Sequence, residues 1–233
     1  MTNNTVHRNT ASKNGILFFD LDGTVADSGS GILASMNHVL EARQLTPLTR
    51  EELTHVVGPP LSVSFPKVFA PRGVPTDEMH MFISEYRAIY SATHLPQTPL
   101  NPGMGEALEV LGRFWHLAVV TSKPEPQALI AINGAGVREY FHVVVGPQDD
   151  SEIPKSRLLE RAIGEMESIL GTTTPLDSCW MIGDRHHDID AGIEVGTHSA
   201  GVLWGFGSHE ELRSAGATAI VQTPADLVAL LTR

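Results

Sequence analysis

The chain has 233 residues, enough for one large domain or for a domain carrying an insert. Its 27 acidic residues against 16 Lys plus Arg give a formal net charge of −11, which argues against nucleic acid or an anionic membrane as the main partner. A small phosphate ester, held by a metal and one or two local cations, remains compatible with that charge.

No apolar run approaches the length of a membrane span. Residues 1–14 are rich in Asn and Thr without an apolar segment and read as a loose tail rather than a signal peptide. Ile16 to Phe19 reads as a buried strand. It ends in Asp20 and Asp22, one residue apart, and then Gly23 and Thr24. Strands avoid Asp, and buried carboxylates are costly unless paired or bound to a metal. The spacing lets both acids point into one crevice with Leu21 turned to the core, while Gly23 lets the backbone turn sharply and approach a ligand. Such a stretch suits Mg²⁺ binding and attack on phosphorus; the alternative is an acidic turn closing a strand.

Val25 to Gly31 is rich in Gly and Ser and reads as a flexible connection. Ile32, Leu33, Met36, Val39 and Leu40 mark one helical face. Thr49 to Glu52 resembles a capping box that starts a second helix, which must stop near Gly58-Pro59-Pro60. A third helix follows from Leu61 to Phe69, and a fourth opens at Thr76-Asp77-Glu78 with Met79, Phe82, Ile83, Tyr86 and Tyr90 inward. Leu95 to Pro102 reads as a proline-rich linker. Residues 30–95 therefore form a small helical insert, and residues 15–29 and 96–233 the body that carries it. The connections at Asp27–Gly31 and Leu95–Pro102 can serve as hinges, and the Gly58-Pro59-Pro60 turn is expected to face the Asp20 site and to govern substrate selectivity.

From Gly103 a helix runs to about Phe114. Strands follow at Leu117–Val120, Val143–Val145, Cys179–Ile182, near Gly201–Leu203 and at Ala219–Val221. Helices fall between and after them, at Lys155–Met166, near Ile189–Val195 and at Asp226–Leu231, and Pro124 suits the first turn of another. Strands alternating with helices predict a doubly wound α/β fold with a parallel, Rossmann-like sheet. In such sheets ligands bind beyond the carboxyl ends of the strands. Asp20, Thr121 and Asp184 each follow a different strand and so share that edge. The single Cys179 precludes an internal disulfide, suits a reducing compartment, and lies in an apolar run that makes it core rather than nucleophile. A cytoplasmic protein, monomeric or homodimeric, is expected. Asp149 and Asp150 read as solvated loop.

Asp20-Leu21-Asp22-Gly23-Thr24, Thr121 after a strand, Lys155 at a helix start, and Gly183-Asp184-Arg185-His186-His187-Asp188 together resemble the haloacid dehalogenase-like (HAD) superfamily, motif by motif and in chain order. The helical insert is similar to that family's cap, and the chain looks most like the phosphoglycolate phosphatase-like branch. Val57-Gly58-Pro59-Pro60-Leu61 and Trp204-Gly205-Phe206-Gly207 look like features of a sub-branch described as phosphatase or 5′-nucleotidase. The family often has Lys-Pro where this chain has Lys155-Ser156, which leaves the charge in place. The resemblance implies a Mg²⁺-dependent phosphatase acting on a small phosphorylated metabolite. Asp20 would be the nucleophile and carry a phosphoryl group. Asp22 would act as general acid and base. Asp20, Asp184 and the Asp22 carbonyl would hold Mg²⁺. Thr121, Ser122 and Lys155 would address the phosphate, with Gly23, Thr24 and Asp188 in support, Asp188 orienting Lys155 or a water. His186 and His187 are placed at the rim, outside the metal site. A sugar phosphomutase shares all these motifs. A dehalogenase would need neither an acid at position 22 nor a metal, and a phosphoacceptor receiver module would be a single small domain.

Overall fold

Strand β1 (Ile16–Phe19) is apolar and fully buried at every position, as a central parallel strand covered on both faces must be. The computed structural model describes residues 13–59, 61–149 and 151–232. Among them, β1 is joined by β2 (His116–Val120), β3 (Val143–Val145), β4 (Cys179–Gly183), β5 (His198–Val202) and β6 (Ala219–Val221) in a single sheet of order β3-β2-β1-β4-β5-β6. Every pairing is parallel, giving the α/β fold that the alternation of strands and helices predicts.

The pleat divides β1 between two cores. Leu17 and Phe19 join one apolar cluster, while Ile16 and Phe18 join another with Ala118, Val120, Val145 and Met181. Helices α5 (Met104–Phe114), α6 (Glu125–Gly134) and α10 (Pro224–Leu231) serve the first face; α7 (Lys155–Leu170) and α8 (His186–Val195) serve the second. A short helix, α9 (His209–Ser214), precedes β6.

Between β1 and α5 the chain is helical: α1 (Gly29–Glu41), α2 (Arg50–Leu53), α3 (Leu61–Phe69) and α4 (Met79–Thr93). Phe65 packs edge-on against Tyr86 at 5.4 Å, and Phe69 against Phe82 at 5.7 Å. These rings belong to the same apolar cluster as Leu17 and Phe19, so the insert and one face of the sheet share a continuous core.

Several boundaries differ from expectation for identifiable reasons. The Gly- and Ser-rich stretch read as a flexible connection ends in helix, because Gly29 and Gly31 form the first turn of α1. Gly31 is needed there for packing, since a Cβ would lie 2.8 Å from that of His94. Helix α2 is a single turn, although its Thr49 capping box forms. Thr76–Glu78 and Leu95–Gln97 are 3₁₀ turns. Strand β5 starts earlier, at His198, and α8 starts at His186. The two expected hinges lie side by side: Asp27 N–H donates to Pro99 O at 2.9 Å, and Asn101 N–H to Val25 O at 3.0 Å. Of the expected tail, residues 1–12 lie outside the described residues, as do Pro60 and Asp150. Lys13 and Asn14 are docked instead. Lys13 Nζ donates to the carbonyls of Gly112 and Trp115, and Asn14 N–H to that of Phe114.

Candidate active site

The sheet order decides where the polar residues meet. Phe19 of β1 stands in register with Val119 of β2 on one side and Ile182 of β4 on the other. The chain leaves β1 for one half of the sheet and returns to begin the other half at β4, so the crevice opens at this switch point. Asp20, Thr121 and Asp184 emerge there side by side.

Asp20 is held at its backbone by a 2.8 Å bond to Ile182 O, and its side chain is almost wholly buried. Lys155, the first residue of α7, reaches in from the second face. Its Nζ lies 2.8 Å from Asp20 Oδ1 and 2.5 Å from Asp188 Oδ1. The other Asp188 oxygen accepts from Arg185 N–H at 3.0 Å, so Asp188 aims Lys155 at Asp20. Asp184 is buried, accepting from Thr24 Oγ1 at 3.0 Å and from Phe206 N–H at 2.7 Å. Gly23 lies beneath these groups; a Cβ on it would meet the Asp184 carboxylate at 2.5 Å and the Phe206 ring at 2.6 Å. The carbonyl of Thr24 is fixed by Asn101 Nδ2 at 3.0 Å and Trp204 Nε1 at 2.9 Å.

Asp20, Asp184 and Asp188 each offer an oxygen within 4.8 Å of the others. Burial pushes the Asp20 carboxyl up to about 6 against the pull of Lys155, with Asp188 adding to the rise. Asp184 is pushed up to about 8, first by burial and then by the charges of Asp20 and Asp188. Burial disfavours the Lys155 ammonium, yet Asp188 and Asp20 hold its pKa above the ordinary value. One ammonium faces three carboxylates, so the cluster is short of positive charge, and its donors are hard oxygens. That donor set fits Mg²⁺. With Asp188 turned to Lys155 and the Arg185 amide, Asp20 and Asp184 could hold such an ion.

Thr121 is buried, bonded through its N–H to Val145 O at 2.9 Å, and its Oγ1 accepts from Lys123 N–H at 3.2 Å. Ser122 lies beside it and lines the same cavity as Asp20 and Asp22. That cavity runs under the insert, where Ile32, Met36, Val56, Gly58, Pro59 and Tyr86 contribute to its wall. Gly58 and Pro59 of the expected selectivity turn are thus brought to the site. Asp149, expected as solvated loop, is exposed but reaches the cavity rim; its carboxylate accepts from Ser151 N–H at 2.9 Å. Cys179 is fully buried, and burial raises its thiol to about 11, consistent with a core residue.

Lys123 carries a role that the sequence reading did not assign. Its buried Nζ lies 3.0 Å from Asp22 Oδ2 and donates to Tyr90 Oη at 3.3 Å, with the ammonium 4.8 Å from the Tyr90 ring centroid. It therefore ties an acid of the core to α4 of the insert. The available signal was its place three residues past β2, beside Thr121. His186 and His187 stand in the first turn of α8. His186 Nδ1 is 2.9 Å from Glu211 Oε1, while His187 is pushed down to about 4 by burial, then His186 and Lys155. Both come within 4.8 Å of Asp190 in ligand reach, but the positive end of α8 and the nearby Lys155 disfavour a cation there.

A family model described as haloacid dehalogenase-like hydrolase matches residues 17–202. The chain belongs to this family. It is 30% identical over 203 residues to a phosphoglycolate phosphatase of Agrobacterium fabrum, covering 82% of this chain and 81% of that protein. It is 31% identical over 207 residues to the tyrosine-protein kinase PtkA of Mycobacterium tuberculosis, covering 88% of this chain and 67% of the relative. A crystal structure described as a predicted phosphatase from Clostridium acetobutylicum superposes with a TM-score of 0.81 at 30% identity, covering 95% of this chain and 99% of that one. The chain is thus a hydrolase of the HAD-like family, with phosphoglycolate phosphatase-like relatives. Among the described residues no helix is long and apolar enough to cross a membrane.

Proposed function

We propose that the protein is a Mg²⁺-dependent phosphatase that hydrolyses a small phosphorylated metabolite, phosphoglycolate-like or a nucleoside monophosphate, through an aspartyl-phosphate on Asp20. The observation that carries the reading is the Asp20–Lys155–Asp188 chain of contacts beside Asp184 and Asp22, all at one sheet edge. Mg²⁺, held by Asp20 and Asp184 with the backbone carbonyl of Asp22, would neutralise the phosphate so that an anionic nucleophile can approach it.

Asp20 attacks phosphorus from the end of β1, and its rigid strand keeps the carboxylate oriented. Asp22 gives a proton to the departing alcohol oxygen and later takes one from the water that cleaves the aspartyl-phosphate. Lys155, aimed by Asp188, stabilises negative charge on the transferred group, and Thr121 with Ser122 supplies hydrogen bonds to its oxygens. The insert excludes water and contacts the leaving group.

Phosphate release across a panel of phosphomonoesters, with Mg²⁺ and with chelator, tests the reading. Release should require Mg²⁺; full turnover in chelator would overturn it. The name of the PtkA relative motivates a second reading, transfer of the phosphoryl group to a protein tyrosine. The two part at the acceptor. Incubation with γ-labelled ATP and a tyrosine-containing protein should leave tyrosine unlabelled on the first reading, while phosphomonoesters release phosphate, and should label tyrosine on the second.

A further inference from the structure

The geometry points to Arg185 as a specificity-determining positioning residue: from the core, it fixes the 54–58 turn of the helical insert as a wall of the substrate cavity. This rests on the phosphatase reading for its consequence, though not for its geometry. Arg185 directly follows Asp184, but its side chain leaves the carboxylate cluster. Nη1 donates to Thr54 O at 2.8 Å and to Val57 O at 2.5 Å, across 131 and 128 residues of chain.

Thr54 caps the C-terminus of α2 and Val57 lies in the turn that follows, and backbone carbonyls at and beyond a helix end need donors from outside the helix. A guanidinium supplies two bonds from one fixed fork. The fork is itself anchored, because Nε donates to Glu211 Oε1 at 2.9 Å. Glu211 also accepts from His186 N–H at 2.9 Å. Partial burial raises the Glu211 carboxyl, but the backbone and ring of His186 and the Arg185 guanidinium hold it down to about 2, so it keeps its charge.

The turn is shaped to receive the fork. Gly58 has φ +111°, and a Cβ there would lie 3.3 Å from Arg185 Cγ and 3.4 Å from Nη1. The start of α2 is braced within the insert by Arg72, which donates to Thr46 O at 2.8 Å and holds Glu52, the partner of the Thr49 cap, at 2.7 and 2.8 Å. The segment is therefore pinned at one end to the insert and at the other to the core. What it presents at and just beyond the core attachment is Val56, Val57, Gly58 and Pro59, all lining the cavity that contains Asp20 and Asp22. A second bond between the two parts near this face, Ser62 Oγ to Glu152, is exposed and so weaker.

The test uses the full chain with Arg185→Gln, Arg185→Lys and Glu211→Gln, read by hydrogen exchange and by kinetics. Amides of residues 54–58 should exchange at least about tenfold faster in Arg185→Gln, the smallest effect expected for losing two charge-assisted hydrogen bonds, with β2 amides unchanged. Arg185→Lys should restore part of the protection. With Mg²⁺, KM for a nucleoside monophosphate should rise about tenfold relative to KM for 4-nitrophenyl phosphate, while kcat moves little on either. Unchanged exchange at 54–58 together with an unchanged KM ratio would overturn the inference. So would an equal fall in kcat on both substrates with faster exchange in the sheet, which marks a general structural role. If Arg185→Gln does not fold, Glu211→Gln decides in the same direction with a smaller effect. If the unmodified protein releases no phosphate from any ester, the phosphatase reading falls, and the exchange result alone decides whether Arg185 holds the turn.

Discussion

The floor and the wall of the cavity are built on different physics. The floor is a charge cluster on strand ends and helix starts: Asp20 and Asp184 beyond β1 and β4, with Lys155 and Asp188 in the first turns of α7 and α8, nearly all buried and each fixed by a second contact. The wall is mostly apolar and aromatic, with Arg87 of α4 its charged member, drawn from helix faces and the turn at 54–59, and tied to the core by a few long side chains such as Lys123 and Arg185. On the proposed function, such a cluster would address the phosphate, the metal and the proton transfers, which are common to every candidate substrate. Only the wall can distinguish one leaving group from another. Changes to the floor should therefore be large and uniform across substrates, and changes to the wall small and selective.

The largest effect is expected from Asp20→Asn. An amide is a poor nucleophile, so turnover should fall on the order of 10⁴- to 10⁶-fold on every substrate, the range seen when a nucleophile or its base is removed. Covalent labelling by a phosphoryl donor should vanish with it. Residual labelling in Asp20→Asn would assign the nucleophile elsewhere.

Asp22→Asn should cost less and in a leaving-group-dependent way. General acid catalysis is worth about 10² to 10⁴ in rate. That loss should appear in kcat/KM for an alkyl phosphate and shrink for 4-nitrophenyl phosphate, whose leaving group departs without a proton. Equal losses on both esters would remove Asp22 from the proton-donor role.

The floor was the more legible part of the sequence because its residues violate local expectation. Two aspartates ending an apolar strand are costly anywhere except at a site, and a Gly between strand and helix marks a close approach. Apolar runs at Ile16–Phe19, Val143–Val145 and Cys179–Ile182 gave the strands, and the Thr49 capping box gave the start of α2. The wall's attachments left no such trace. Lys123 pairs with Asp22 across 101 residues, and Arg185 with Thr54 across 131; neither breaks a local pattern. Helix α9 was missed because it is short, although Ser208 caps it by accepting from Glu211 N–H at 3.1 Å. The polar start of β5, His198-Ser199, hid its first residues for want of alternation.

A milder way to separate floor from wall is thermal stability against pH. Asp20 and Asp184 are raised to about 6 and about 8, above the unfolded value of about 4. Between those limits the metal-free folded protein binds protons that the unfolded chain has released, so its stability falls as pH rises from about 4 to 8. Ionised carboxylates are also what Mg²⁺ binds, so its stabilising effect should grow over the same window. The Mg²⁺-induced rise in Tm should be a few degrees larger at pH 8 than at pH 5, about what 1 kcal/mol gives in a chain of this size. Asp184→Asn should flatten that difference, and Pro59→Ala should leave it intact. A rise in Tm that is the same at both pH values would contradict the assignment of these acids to the metal.

The smallest expected effect, and the most informative about substrate, is at the wall itself. Pro59 and Leu61 both line the cavity that contains Asp20. Neither side chain can donate a proton, carry charge or bind phosphate, so Leu61→Ala removes apolar contact alone, while Pro59→Ala also restores a backbone N–H. A change of that kind in a hydrophobic pocket shifts discrimination by about tenfold. Pro59→Ala and Leu61→Ala should therefore alter the ratio of kcat/KM between a nucleoside monophosphate and phosphoglycolate by about that factor. These two leaving groups differ most in apolar area. Hydrolysis of 4-nitrophenyl phosphate, driven by its leaving group, should change less than either. The direction identifies the substrate side that the wall favours: a loss confined to the nucleotide means its body rests on Pro59 and Leu61, whereas a loss confined to phosphoglycolate means the wall closes over a small ester. A uniform fall on all three would place selectivity outside this turn, on the α4 face that carries Tyr86 and Tyr90.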